Sequence, residues 1–330
     1  MTMSFERSAL GFVGILFVAL LTVAVSDPLI GATATPKVSM LLPERAAKAE
    51  VVGWKTESMA FAGNSAVSLT DTFKRMGYDL KSGISGHNIV PRIFIASLPS
   101  DMSDIRENEV RKLVFFKSIL PLVLHANEEI SAERRRLWQL RYQIVMGEGV
   151  DPIDRLWLEV MTERYRVKEA AIGVELIDSL LRCADVIPPS LALAQAAEES
   201  GWGTSRYVRE GNAIFGQWAF SPSGNLTPGQ RDEGKSHGIR AFSSLLDSVK
   251  AYALNLNSHR SYREFREARE EIRGIGATVD GMALAGRLKS YSERGMNYVR
   301  AISAIIDVNN LRHLDKARLG DLPRVTGPSI

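Results

Sequence analysis

Apolar positions along the 330 residues fall into three regimes. Residues 9–25 are apolar without a single charge, with Glu6 and Arg7 before them and Asp27-Pro28 after. From Val110 onward apolar residues recur at helical spacing, beginning with Leu113, Val114, Phe115, Phe116, Ile119, Leu120, Leu122, Val123 and Leu124. Pro121 predicts a kink or break in that helix. Leu137, Leu140, Ile144 and Val145 resume the period after a charged run, and Gly147 and Gly149 close it. Further amphipathic helices are predicted over 157–167, 170–184, 191–200 (Ser190 as cap), 244–256, 280–288 and 298–308. The third regime, 201–242, is rich in Gly, Ser, Asn, Pro and aromatics and reads as a small lobe of loops and hairpins. Residues 27–60 read as a linker, 61–90 as irregular, and 90–96 as a strand or extended arm. The tail from His313 is polar and is expected to be mobile.

The pattern predicts an α+β, mainly α fold, in which a helical body and a small irregular or β lobe form a cleft. The domain plan is an amino-terminal segment over 1–26, a linker and irregular region over 27–89, a main domain over 90–312 and a tail over 313–330. Within the main domain a helical extension reaches about residue 170 and a core occupies 171–312.

Composition narrows this picture little. A net charge of +3 with no local concentration of Lys and Arg gives no nucleic-acid footprint. The lone Cys183 excludes an intrachain disulfide and a cysteine-based zinc site, and its helical context predicts burial. The five histidines are scattered, so no metal site and no cofactor are expected. Residues 9–25 fall a little short of the ~20 that cross a bilayer comfortably. Ala24-Val25-Ser26 offers a small-x-small cleavage pattern. A cleaved signal peptide and a retained inner-membrane anchor both stand, and either exports the rest of the chain to the periplasm.

One stretch carries chemistry: Ala194-Gln195-Ala196-Ala197-Glu198-Glu199-Ser200-Gly201-Trp202-Gly203. Ala and Leu build the helix, and Gly201 stops it in the left-handed turn that glycine favours. A carboxyl at a helix carboxyl end faces the negative pole of the dipole, and burial beside Trp202 would disfavour its charge further. Both effects retain a proton near neutral pH, as a general acid toward a glycosidic oxygen requires. The handicap of the neighbouring Glu198 is small, because helical spacing points it elsewhere.

This stretch resembles the "AQAALESGWG" signature of bacterial glucosaminidases, with Glu198 where that pattern has Leu. Gly211-Asn212-Ala213-Ile214-Phe215-Gly216-Gln217-Trp218 resembles their "GNNLFGQW" block, and residues 291–298 their carboxyl-terminal "YATDPNY"-like block. Val90-Pro91-Arg92 and residues 115–123 are similar to the Bax-type branch. The resemblance covers roughly residues 90–310. It implies a lysozyme-like fold and hydrolysis of glycosidic bonds of N-acetylglucosamine in peptidoglycan strands, which would be the partner. It implies Glu199 as the acid and Tyr291, or else Tyr298, as the tyrosine near the reacting sugar. Gln195, Trp202, Asn212, Phe215 and Trp218 would bind substrate or shape the cleft floor. Asp232 and Glu233 are the candidate second acids. The substrate's own acetamido oxygen is the alternative nucleophile, so inverting and substrate-assisted mechanisms both stay open. A lytic transglycosylase and a non-catalytic glycan-binding envelope protein are the rival readings. The sequence leaves oligomeric state open.

Overall fold

A computed structural model describes residues 65–80, 89–169, 171–219, 225–226 and 238–320. The apolar stretch 9–25, the linker over 27–60, and Asp232 and Glu233 lie outside the described residues. Ten α-helices occur among the described residues: α1 (Ala66–Arg75), α2 (Asn108–Val145), α3 (Pro152–Tyr165), α4 (Val174–Cys183), α5 (Pro189–Ser200), α6 (Arg206–Gly211), α7 (Leu245–Ser258), α8 (Arg263–Gly274), α9 (Gly281–Ala285) and α10 (Met296–Val308). Five short strands accompany them. β1 (Ile89–Val90) pairs in parallel with β5 (Arg318–Leu319). β2 (Trp218–Ala219), β3 (Asn225–Leu226) and β4 (Gly238–Arg240) form an antiparallel sheet with β4 in the middle. The fold is the expected mainly helical α+β body with a small β lobe.

The lobe interrupts the helices between α6 and α7, as the composition shift over 201–242 predicts. Helix α2 is the spine: it packs along α4, α5 and α7. It runs unbroken through Pro121, so of the expected kink or break the break does not occur. An interior proline costs ~3 kcal/mol. Here every side chain over 114–124 is buried, and packing on that scale outweighs the lost hydrogen bond.

Two apolar clusters flank the spine. The larger gathers α1, the first half of α2, α5, α7, α9 and α10. The smaller lies between the second half of α2, α3 and α4, and includes the free, buried Cys183. They meet at the end of α4, whose last carbonyls would be orphaned in a dry interior. Arginines take them. Buried Arg269 donates to the carbonyls of Arg182, Cys183, Asp185 and Val186 at 3.0–3.3 Å. Arg134 reaches those of Leu181 and Ala184. The buried Asp185 carboxylate answers the charge through Arg273, at 2.5 and 2.6 Å. Burial alone would raise the proton affinity of Asp185; Arg273, Arg269 and Arg134 hold it below the usual carboxylate range.

Three expectations are corrected. Helix α8 was not among the predicted helices, although Phe265, Ala268 and Ile272 recur at helical spacing; Arg266 and Arg269 share its buried face and interrupt the apolar stripe. Helix α1 lies in a region read as irregular. Ser65 caps it, Asp101 takes the Ala66 N–H at 2.8 Å, and Leu69 and Phe73 bury its inner face. The tail, expected to be mobile from His313, is docked as far as Gly320. Leu314 and Leu319 are buried, and the Gly320 N–H donates to the Val90 carbonyl at 2.9 Å.

That docked segment starts the central helix. The predicted cap of α5, Ser190, lies inside the helix and makes no cap bond of its own. Asp315 caps instead: it accepts from Ser190 N and Ser190 Oγ, both at 2.8 Å, and from Gly281 N at 2.9 Å. Gly281 comes so close that a Cβ there would stand 2.1 Å from Ser190 Oγ. Replacing Asp315 with Ala leaves two buried N–H groups without acceptors. The expected loss is about 2–4 kcal/mol in denaturant unfolding, and a variant within 0.5 kcal/mol (roughly the scatter of surface substitutions) would show that another group caps α5.

Candidate active site

Helix α5 is buried at every position from Pro189 to Ala197. Only at its last turn does it reach solvent, and Glu198 and Glu199 occupy that turn, each partly buried. Three consecutive residues then take left-handed backbone: Gly201 at φ +56°, Trp202 at +59° and Gly203 at +79°. A bulky residue in this region costs about 1–2 kcal/mol. The Trp202 ring holds it there, edge-on to Phe115 and Phe116 at 6.0 and 5.3 Å, with Lys112 Nζ 5.4 Å from its centre. Gly203 is pressed against Leu98 and α2 so closely that a Cβ would lie 2.5 Å from Leu98 Cδ1 and 3.2 Å from Phe115 Cδ2. The Gly-Trp-Gly turn therefore wedges the end of α5 onto α2. Trp202, expected to blanket the acid and stack on sugar, has this packing role.

Glu199 instead meets two other elements. Tyr298, on α10, faces its carboxyl. Gly216, in the lobe at φ +58°, comes so near that a Cβ would stand 3.7 Å from Glu199 Oε2. Burial raises the proton affinity of Glu199, and the charge of Glu198 adds to it; the Tyr298 hydroxyl and Arg294 oppose the shift without cancelling it. Glu198 turns outward to pair with Arg294.

The aromatic residues of the site form two stacks. Tyr291 lies parallel to Tyr298, with centroids 5.4 Å apart and planes 9° apart, and Tyr262 packs beyond it at 5.9 Å. Phe215 lies flat on Tyr252 at 3.8 Å and 4°. Gln195 joins the stacks. Its Oε1 accepts from the Tyr252 hydroxyl at 2.7 Å, and its Nε2 donates to the Tyr298 oxygen at 2.9 Å. Burial and then the charge of Glu199 keep the Tyr298 phenol protonated far above its ordinary range.

The structure thus brings together Glu199, Tyr298, Tyr291, Gln195 and Phe215, but redistributes their expected roles. Gln195 is 0 % exposed and Phe215 2 %, so both lie beneath the cleft surface and support it. Tyr298 faces the acid, and Tyr291, favoured as the tyrosine near the reacting sugar, is the more exposed of the two. Asn212 is buried in a left-handed cap of α6, with its amide toward the carbonyls of Phe242 and Ser243 at 3.3 and 3.5 Å. It ties the lobe to the body instead of facing substrate. Trp218 begins β2 opposite Ile239. Sequence reasoning missed Tyr252 and Gly216. Tyr252 carried a signal, a hydroxyl on the buried face of α7 among Val249, Ala253 and Leu256. No group of acidic, His or Cys side chains able to hold a metal ion occurs among the described residues.

This arrangement can present one carboxyl of raised proton affinity, beside a tyrosine, at the mouth of a lobe. The family model described as mannosyl-glycoprotein endo-β-N-acetylglucosaminidase matches residues 176–311, which span α4 to the start of the docked tail. The protein bax of Escherichia coli (strain K12) is 34 % identical over 215 residues, covering 65 % of this chain and 75 % of its own length. The chain belongs to the Bax-type glucosaminidases. No solved structure matches it significantly. Family membership supports a glycan-hydrolysing function for the site, and the matched span holds Glu199, Tyr291 and Tyr298 but not α2, against which the Gly-Trp-Gly turn is wedged. The Bax-type relative's coverage requires the alignment to reach beyond that core.

A carboxyl with raised proton affinity is a stability cost once it ionises. The folded protein binds that proton more tightly than the unfolded chain does. Its contribution is therefore full below the unfolded pKa of ~4.3 and is lost as pH rises through the higher folded value. Glu199→Gln should melt close to wild type below the unfolded pKa of ~4.3 and increasingly above it as the pH rises through the higher range in which the folded carboxyl ionises. A gap in melting temperature that stays constant across this range, or narrows, would mean that Glu199 ionises normally.

Proposed function

We propose that the protein hydrolyses β-1,4 glycosidic bonds of N-acetylglucosamine in peptidoglycan glycan strands, with Glu199 as general acid. The observation that carries this reading is the placement of Glu199: a proton-retaining carboxyl, at the only turn of the buried α5 that reaches solvent, inside the family's own motif. In the reaction Glu199 gives its proton to the glycosidic oxygen as the bond to the anomeric carbon breaks, and that bond's electrons stay with the leaving oxygen. Charge develops on the anomeric carbon, which then takes water or the neighbouring acetamido oxygen. Tyr291, partly exposed and stacked on Tyr298, is the residue this reading assigns to the reacting sugar. A half-buried acid beside a neutral tyrosine suits both the inverting and the substrate-assisted course. The candidate second acids Asp232 and Glu233 would matter only for the first.

The substrate lies outside the inner membrane, so this reading includes export to the periplasm through residues 9–25, as a cleaved signal or as a tether. Those residues lie outside the described ones; among the described residues no helix is long and apolar enough to cross a membrane. Fractionation distinguishes the two forms: a soluble periplasmic chain starting at Asp27 indicates cleavage, and a full-length chain in the salt-washed membrane pellet indicates a tether. A soluble full-length chain in the cytoplasm would defeat export.

Purified protein incubated with peptidoglycan should release fragments with reducing N-acetylglucosamine ends by mass spectrometry; anhydro-muramyl ends would establish a lytic transglycosylase instead. Glu199→Gln keeps the shape and removes the transferable proton, so turnover should fall by about 10²–10⁴, and near-normal turnover would exclude Glu199 as the acid. Tyr291→Phe should lower turnover several-fold, on the order of one lost hydrogen bond to the sugar, with an unchanged melting temperature. Full activity in that variant would remove Tyr291 from the site.

A further inference from the structure

The Tyr298 oxygen meets two groups. It accepts from Gln195 Nε2 at 2.9 Å, and its phenol faces the carboxyl of Glu199. A phenol has a single proton to give, so the direction of the first bond decides the second. Gln195 is completely enclosed and cannot be reoriented by solvent. Its carbonyl oxygen is occupied by the hydroxyl of Tyr252. Tyr252 is equally enclosed, 1 % exposed, with its ring clamped flat against Phe215 of the lobe. With the amide oxygen taken at one end, the amide nitrogen faces Tyr298 and fills an acceptor site on its oxygen. The Tyr298 proton is left for Glu199.

We propose that Tyr252 and Gln195 are positioning residues, which hold the Tyr298 hydroxyl as a hydrogen-bond donor to Glu199 so that one oxygen of the acid is fixed as acceptor and the other carries the proton offered to substrate. The inference rests on the reading of Glu199 as the acid, and it adds why that acid is aimed. Were the amide turned over, Tyr298 would donate to Gln195 and Glu199 would have to spend its proton on Tyr298, where the substrate cannot reach it. The clamp by Phe215 links this orientation to the lobe: the ring that closes the floor of the lobe also holds the first donor of the relay. None of the three supporting residues needs to touch the sugar.

The two amide orientations give opposite signs. A Tyr298 that donates favours the ionised carboxylate, so breaking the relay should raise the pKa of Glu199; a Tyr298 that accepts favours the protonated acid, so breaking it should lower that pKa. The test is a titration of the full chain labelled with ¹³C at the glutamate side-chain carboxyls. The Glu199 signal is assigned by its loss in Glu199→Gln and followed without substrate in wild type, Tyr298→Phe, Tyr252→Phe and Gln195→Met. The expected result is an upward shift in all three variants, largest in Tyr298→Phe. The alkaline limb of kcat against pH should move up with it, and kcat should fall about three- to tenfold with KM nearly constant, the scale of one mispositioned hydrogen bond. An unchanged or downward titration in Tyr252→Phe would overturn the proposal. If Gln195→Met does not fold, Tyr252→Phe, which deletes one oxygen, decides the question alone. Because the titration needs no turnover, it separates the two ideas. Continued cleavage by Glu199→Gln would refute the acid, whereas a normal titration in Tyr252→Phe would refute only the relay.

Discussion

A helix with no water along its length must find a protein partner for each backbone group at its ends, and α5 is such a helix. Its first turn is met by Asp315, from a segment 125 residues further along the chain. Its last turn is met from within: Ser200 Oγ donates to the Ala196 carbonyl, and the N–H groups of Trp202 and Ser205 return to Ala197 and Ser200. The surrounding architecture follows. Helix α9 has a glycine where it crosses the start of α5, the docked tail supplies the cap, and α2 takes the Trp202 wedge at the far end. Only when the helix is anchored in this way can its final turn hold a carboxyl against its own dipole.

Several of these features cost stability and are offset elsewhere. An acid that resists ionisation, a tryptophan in left-handed backbone and a proline inside a 38-residue helix all oppose folding locally. The Asp185 cluster shows how the body compensates. Three arginines and one carboxylate close the end of α4, where the two apolar clusters meet, and the neighbouring Asn127 exchanges two hydrogen bonds with Ile187 at the entry to α5. A buried ion cluster of this kind is weak as a source of net stability but demanding in geometry. Its effect here is to fix where α5 begins.

Much of the fold was legible because its helices alternate apolar and polar faces and because the lobe differs in composition from the body. The acid and its motif were legible for the same reason: Ala-rich helix, Glu pair and glycine stop are local in sequence. What stayed hidden was carried by polar residues doing apolar work or by contacts distant in sequence. Arg266 and Arg269 mask the inner face of α8. Asp315 reads as a surface residue in a polar tail until it is seen capping α5. Gln195 and Phe215 sit in motifs that suggest substrate, yet both are interior, because a cleft needs a rigid floor as much as a lining. Trp202 carries a packing role that its place in the motif does not announce, because its partners Phe115 and Phe116 lie far away in sequence. Which of Tyr291 and Tyr298 faces Glu199 depends on how α10 and the turn before it meet α5, which the spacing of two tyrosines does not encode.

The cap of α5 also has a consequence in time. A ribosome delivers the acid-bearing helix long before it delivers Asp315 and the strand that pairs with Val90, so a partly synthesised chain holds Glu199 on a helix whose first turn is still open. Contacts that far apart in sequence form late. The site is therefore completed only after the residue that caps α5, 125 positions beyond Ser190, has emerged.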